Sequence, residues 1–218
     1  MKAFFDYSIY PQVVWAKEIN QILNSSLLKN SNNYTIVDAP CGNGVITYWV
    51  KKKQKNRKFL LYDIDERLLD IVNKNLKGVS WYNADIFKLN LETSENIWLF
   101  INSLYCLPEG EKLIETMSKQ MKYVIAVFPY IGHPNYKAFL AANPDFKNPS
   151  AMTEPETLAL FEKYGYKTIL KKGCTFISYH KIRPTILLKA SKRLLAPIER
   201  LWGKNSPAYW LAVFEKQV

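Results

Sequence analysis

The stretch Thr35-Ile36-Val37-Asp38-Ala39-Pro40-Cys41-Gly42-Asn43-Gly44-Val45-Ile46-Thr47 constrains the fold more than any other part of the chain. Its β-branched start favours an extended strand, and the strand ends on an acid, Asp38. A tight turn holding Gly42 and Gly44 follows, and a helical pattern opens at about Val45. A strand that turns directly into a helix brings the helix's free N–H groups to one edge of a sheet, where a ligand meets them. Glycine suits such a turn because a Cβ would disfavour positive φ and hold a ligand off the backbone. Two glycines alone are a weak signature, so the downstream segments decide how the turn is read.

Those segments repeat the theme. Residues 59–65 form a buried-type strand ending in acids, and residues 66–76 form a helix closed by Gly78. A third strand over 79–85 also ends in an acid. The fourth strand (96–103) is more continuously apolar, as a central parallel strand is, and a helix over 109–121 separates it from a fifth over 123–129. Ahead of the first strand, a helix is expected from Pro11 to about Leu28. Thr153-Glu154-Pro155-Glu156 is a strong helix start, with Thr as N-cap and Glu three residues on. That helix runs to Gly165, and strand patterns follow at 166–171, 174–179 and 208–215. Strands alternating with helices imply an α/β fold with a parallel sheet covered on both faces. Parallel strands place Asp38, Asp63 and Asp85 on one rim, the edge where ligand crevices form. Asp63 stands nineteen residues after Gly44, near the offset at which a carboxylate meets ribose hydroxyls. Asp85, one strand further on, is placed to accept from an exocyclic amine.

Charge and cysteine usage narrow the classes. The net charge of +11 is concentrated in Lys51, Lys52, Lys53, Lys55, Arg57 and Lys58, and in seven cations between Lys181 and Lys204 opposed by Glu199 alone. The remainder is close to neutral, unlike a uniformly basic nucleic-acid binder. Cys41, Cys106 and Cys174 are widely spaced and the chain has two histidines. A disulfide framework and a zinc site are therefore not expected, and a reduced, cytoplasmic setting is. The first residues lack a signal peptide's long apolar core, and the apolar run 123–131 is too short to span a bilayer. At 218 residues the chain reads as one domain.

The motifs resemble those of the class I S-adenosylmethionine-dependent methyltransferases, closely over about 34–131 and more loosely elsewhere. Asp38-Ala39-Pro40-Cys41-Gly42-Asn43-Gly44 is similar to that family's first motif, acid-x-Gly-x-Gly-x-Gly, with Pro40 in place of the first glycine. The resemblance implies a three-layer Rossmann-like fold with a seven-stranded, mostly parallel sheet and an antiparallel last strand. It implies S-adenosylmethionine as cofactor, with Pro40, Gly42 and Gly44 shaping the loop under its methionine part and Asp38 near its ammonium. Tyr62-Asp63-Ile64-Asp65 looks like the second motif, with Asp63 on the ribose and Ile64 beside it. Asn83-Ala84-Asp85-Ile86 looks like the third, with Asp85 on the adenine amine and Ile86 against the ring. Phe100-Ile101-Asn102-Ser103-Leu104 looks like the fourth, with the backbone near Asn102 facing the cofactor.

Neighbouring readings fit less well. Asp38-Ala39-Pro40-Cys41 also resembles the nucleophile motif of RNA cytosine-5 methyltransferases, but that motif needs a cofactor loop earlier in the chain, and the preceding residues hold no glycine. A dinucleotide dehydrogenase needs a third glycine where Thr47 stands. Asn102-Ser103-Leu104-Tyr105 lacks the Pro-Pro-aromatic signature of amino-methylating DNA enzymes. The acceptor is therefore expected to be a small molecule or a lipid-linked one, methylated on oxygen, and nucleic acid is not expected as a partner. The alternatives are an RNA or tRNA methyltransferase and a non-catalytic cofactor-binding regulator. His133, in the Tyr130-Ile131-Gly132-His133 turn, is the candidate base. Tyr7, Tyr10, Tyr105 and Tyr130 are candidate substrate residues, the first two in a helical lid over residues 1–30.

Residues 181–204 read as a basic amphipathic insertion before the last strand. Leu187, Leu188, Leu194, Leu195, Ile198, Leu201 and Trp202 share one arc of a helix over 184–202, opposite Lys189, Lys192, Arg193 and Arg200. Such a helix either packs on the domain with a solvated face or lies on an anionic membrane, which would place the protein peripherally at the inner membrane face.

Overall fold

The computed structural model describes residues 10–28, 30–91, 95–104, 107, 109–134, 136–137, 141, 152–175 and 207–217. Tyr7, Tyr105 and the segment 181–204 lie outside the described residues, and Tyr10 enters as the first residue of a helix. Five parallel strands form the body of one sheet: β1 (Thr35–Asp38), β2 (Phe59–Asp63), β3 (Ser80–Asn83), β4 (Asn96–Ile101) and β5 (Tyr123–Pro129). β7 (Tyr209–Lys216) runs antiparallel between β5 and β6 (Tyr166–Thr175), giving the order β3-β2-β1-β4-β5-β7-β6.

The two periods of the sequence build two cores. Alternate strand residues face opposite sides of a sheet. Ile36, Ile97, Leu99, Ile125 and Leu211 therefore pack on one side with Ile19 of α1 (Tyr10–Leu23), Val50 of α2 (Val45–Lys51) and Val72 of α3 (Glu66–Asn75). Val37, Trp98, Phe100, Val124 and Phe214 pack on the other side with Leu113 and Met117 of α4 (Gly110–Met117) and Phe161 of α5 (Glu154–Lys163). β4 and β5 are buried on both faces, which accounts for the apolar runs 97–101 and 123–129. α5 begins as its sequence predicts, with Thr153 and Glu156 forming a reciprocal capping box.

α4 ends at Met117 rather than at 121, and two further departures from the sequence reading have a visible cause. α1 ends at Leu23 rather than near Leu28, because its last carbonyls find other donors. Ser25 bonds the Ile22 carbonyl through both its N–H and its hydroxyl, and the Arg57 guanidinium bonds the Leu23 carbonyl. The expected break between strands 166–171 and 174–179 is absent from the described residues. Lys172 and Gly173 stay paired with Leu211 and Trp210, and register shifts at Thr168/Leu170 and Gly173/Thr175 absorb the irregularity within a single β6.

Arg57 also leaves the basic run to which its sequence neighbours belong. It is buried, and it donates to Gln54 Oε1 and to the carbonyls of Leu23 and Ser31. Lys52, Lys53, Lys55 and Lys58 remain exposed beside it. Among the described residues no helix is long and apolar enough to cross a membrane.

Candidate functional site

The carboxyl ends of β1, β2 and β3 form a common rim. Asp38 pairs with Leu61 of β2 and Leu99 of β4, and Asp63 pairs with Asn83 of β3. The loop after β1 passes through a cis Ala39–Pro40 bond and takes positive φ at Gly42 (55°) and Gly44 (73°), so Pro40 occupies a position that needs none. The Cys41 N–H bonds the Tyr62 carbonyl at 2.9 Å, and the Gly42 N–H donates to Asp63 Oδ2 at 2.7 Å. Asp63 thus ties the loop to the end of β2, while its Oδ1 accepts from the Asp65 N–H at 2.9 Å. An ionised carboxylate has lone pairs left after two such bonds.

The two glycines do different work. A Cβ on Gly44 would lie 2.9 Å from Val72 Cγ2 and 3.3 Å from Leu76 Cδ1, so this residue lets the start of α2 close onto α3. A Cβ on Gly42 would meet no atom within 4 Å, and Gly42 lines the crevice. That crevice has a volume of about 470 Å³. Its walls include Asp38, Pro40, Gly42, Asp63 and Asn102 together with Gln12 and Trp15 of α1. A second lobe of about 230 Å³ shares Pro40, Asp63 and Leu107 with it and is lined by Tyr62, Ile64, Asp85, Ile86 and Phe87. In this lobe Ile64 is 73% exposed, an apolar side chain presented to open space. Asp85 caps the short 3₁₀ turn Ile86–Lys88 by accepting from the Phe87 N–H at 3.0 Å. Asn102 sits at φ 57° just after β4, held by its N–H to the Val127 carbonyl at 2.7 Å.

The electrostatics are one-sided. Asp38 is 3% exposed, and burial pushes its carboxyl up to about 7, with the charge of Asp63 adding to the effect. A hydrogen bond from Thr47 Oγ1 at 2.6 Å works in the opposite direction. Burial, Asp38 and Asp63 also push the Cys41 thiol upward, so it stays protonated and is a poor nucleophile. Among the described residues, no lysine, arginine or histidine lines the larger lobe.

Other expected residues lie elsewhere. His133 is 4% exposed and lines neither lobe. Its turn folds back through the His133 N–H to the Tyr130 carbonyl, and the Tyr130 N–H bonds the Ala208 carbonyl ahead of β7. Burial lowers the His133 pKa. Tyr130 is exposed, lies edge-on to Trp210 at 6.5 Å, and also lines neither lobe. Conversely, Gln12, Trp15, Ser103 and Thr47 belong to the site and its support without having been singled out from sequence. For Gln12 and Trp15 the available signal was their i, i+3 spacing on α1.

A mostly parallel sheet covered by helices, with antiparallel β7 and β6 at one edge and a crevice at a rim of strand-end acids, matches a Rossmann-like methyltransferase fold. Residues 30–162 match the model of a methyltransferase domain family, and the chain belongs to that family. No curated protein sequence matches the chain. Among solved structures it is similar to magnesium protoporphyrin IX methyltransferase from Synechocystis PCC 6803 with bound S-adenosylhomocysteine. That match has 11% identity and a TM-score of 0.62, and it covers 94% of this chain and 84% of the other. An S-adenosylmethionine-dependent methyltransferase from Mesorhizobium loti matches with 16% identity and a TM-score of 0.60, over 88% of this chain and 94% of its own. Mitomycin 7-O-methyltransferase matches with 13% identity and a TM-score of 0.63, over 94% of this chain and 54% of its own.

Proposed function

We propose that this protein transfers a methyl group from S-adenosylmethionine to an oxygen of a small-molecule or lipid-linked acceptor. The observation that carries the reading is the sorting of chemistry along the rim. One lobe holds carboxylates and, among the described residues, no lining cation, and the other holds an exposed apolar Ile64 between Asp63 and Asp85. The first lobe suits a cationic amino-acid end and the second a flat base joined to a ribose. In this assignment Asp38 receives the ammonium, Asp63 the ribose hydroxyls and Asp85 the adenine amine. Ile64 and Ile86 flank the ring, and Gly42 leaves room for the ligand to approach the backbone. The bound cofactor supplies an activated methyl on a sulfonium, so the protein's share is orientation and exclusion of water. Gln12, Trp15 and Ser103 also line the larger lobe, and they are assigned here to the acceptor. The similarity to mitomycin 7-O-methyltransferase supports oxygen as the acceptor atom.

Calorimetry with S-adenosylhomocysteine tests the cofactor assignment. One-to-one binding that weakens at least ten-fold in Asp85→Ala supports it, and no heat with the native protein overturns it. Incubation with labelled cofactor and metabolite extracts tests the transfer, because a regulator binds the cofactor and labels nothing. The lipid-linked option predicts sedimentation with anionic vesicles at low salt through residues 184–202. Absence of sedimentation leaves the small-molecule acceptor.

A further inference from the structure

Thr47 lies in the first turn of α2, fully buried, with its hydroxyl directed at the end of β1. A threonine hydroxyl inside a helix ordinarily returns to a carbonyl three or four residues back. Here Oγ1 instead donates to Asp38 Oδ2 at 2.6 Å. No other described residue donates to this carboxylate, so Oδ1 is left for whatever occupies the crevice that Asp38 lines.

The surroundings of Asp38 otherwise oppose its ionisation. Asp63, at the end of β2, adds a like charge, and burial removes water. The Cys41 thiol in the loop is protonated and contributes no charge. α1 and β4 bring Gln12, Trp15, Asn102 and Ser103 to the same lobe, and none of these titrates. Thr47 is thus the single described group that favours the anion, and a hydrogen bond donated to a carboxylate stabilises that form selectively. A cationic ligand needs that anion, because a neutral acid facing an ammonium offers little attraction.

We propose that Thr47 is a positioning residue whose hydroxyl keeps the Asp38 carboxylate ionised and turned toward the crevice, ready for the cofactor's ammonium. This rests on the assignment of Asp38 to the ammonium made above. It extends the binding machinery into the helix behind the loop, to a side chain that does not line the crevice.

Calorimetric titration of S-adenosylhomocysteine into native protein, Thr47→Ser and Thr47→Val from pH 6 to pH 9 tests the role. Thr47→Ser keeps the donor and binds as the native protein does. Thr47→Val preserves shape without the donor and binds about ten-fold more weakly at pH 7. The deficit shrinks several-fold toward pH 9, where Asp38 ionises without help. Equal affinity of the valine variant at pH 7 overturns the proposal. So does a deficit of the same factor at every pH, which marks a purely structural residue. If Thr47→Val fails to fold, Thr47→Cys, a weaker donor, is expected to show the same trend at smaller amplitude, and a pH-independent result there overturns the proposal equally. Failure of the native protein to bind at any pH strikes the cofactor assignment instead, so the two failures are distinct.

Discussion

Replacing each loop glycine with alanine separates fold from function at two positions only two residues apart. Gly44→Ala incurs two costs. At φ 73° an L-residue loses roughly 1–2 kcal/mol, and the new Cβ meets Val72 Cγ2 at 2.9 Å. Val72 and Leu76 are buried, so they give way only by displacing the α2–α3 packing, an overpacking cost of about 1–3 kcal/mol. The total is about 2–5 kcal/mol, which for a chain of this length lowers Tm by about 5–15 °C. Gly42→Ala carries only the first cost, since nothing lies within 4 Å of its Cβ. Its Tm falls by about 2–6 °C. The functional ranking is reversed. The Gly42 methyl occupies space at the crevice wall, so affinity for S-adenosylhomocysteine falls at least ten-fold, while folded Gly44→Ala binds within a few-fold of the native protein at low temperature. Differential scanning calorimetry and ligand titration on the two variants measure both rankings. Equal losses of stability, or unchanged affinity in Gly42→Ala, would refute the division of labour.

Further predictions concern charge. Asp38 has a folded-state pKa raised from 3.8 to about 7, so its contribution to stability is complete below 3.8 and is lost as pH rises through 7. Relative to Asp38→Asn, the ligand-free native protein loses about 2–3 kcal/mol between pH 5 and pH 8. Urea unfolding of the pair across that range checks this, and a pH-independent difference contradicts it. The comparison is made by difference because His133, whose pKa is lowered by burial, tilts both curves the other way, destabilising them as pH falls. Arg57→Met strands the carbonyls of Leu23 and Ser31 and the Gln54 side chain. It costs about 2–4 kcal/mol in urea unfolding with ligand affinity unchanged, and a cost below about 0.5 kcal/mol refutes its structural role.

What was legible in the sequence was what local pattern encodes. Each rim acid follows its own strand, so Asp38, Asp63 and Asp85 are readable one element at a time, and parallel pairing then aligns them. β4 and β5 declare their central place through unbroken apolar runs. The interactions that escaped reading join residues through tertiary packing. Arg57 looks like one more cation in a lysine run, and only the return of α1 beside it supplies the carbonyls that bury it. Thr47 reads as the residue standing where a glycine was wanted, until α2 folds back and aims its hydroxyl at Asp38. His133 follows a strand end as a loop base would, yet it is buried and lines neither lobe. The break expected near Gly173 disappears because β7 continues to pair across it.

The locally unfavourable features at the rim share a direction, and that favours reading the crevice as a binding site over a gap between elements. Asn102 holds a positive φ, Ile64 presents an apolar side chain to open space, and Asp38 is a buried acid with no cation lining its lobe among the described residues. Each feature carries a cost in the ligand-free protein, and a sequence under selection for stability alone has simple ways to remove it. Buried Arg57, away from the rim, shows how this chain treats a charge that serves structure: three hydrogen-bond partners close around it. Asp38 keeps one hydroxyl and a free oxygen. The charge it lacks is the charge that an ammonium brings, and the apolar surface that Ile64 leaves uncovered is the kind an adenine ring covers, so one ligand relieves both costs from adjoining lobes.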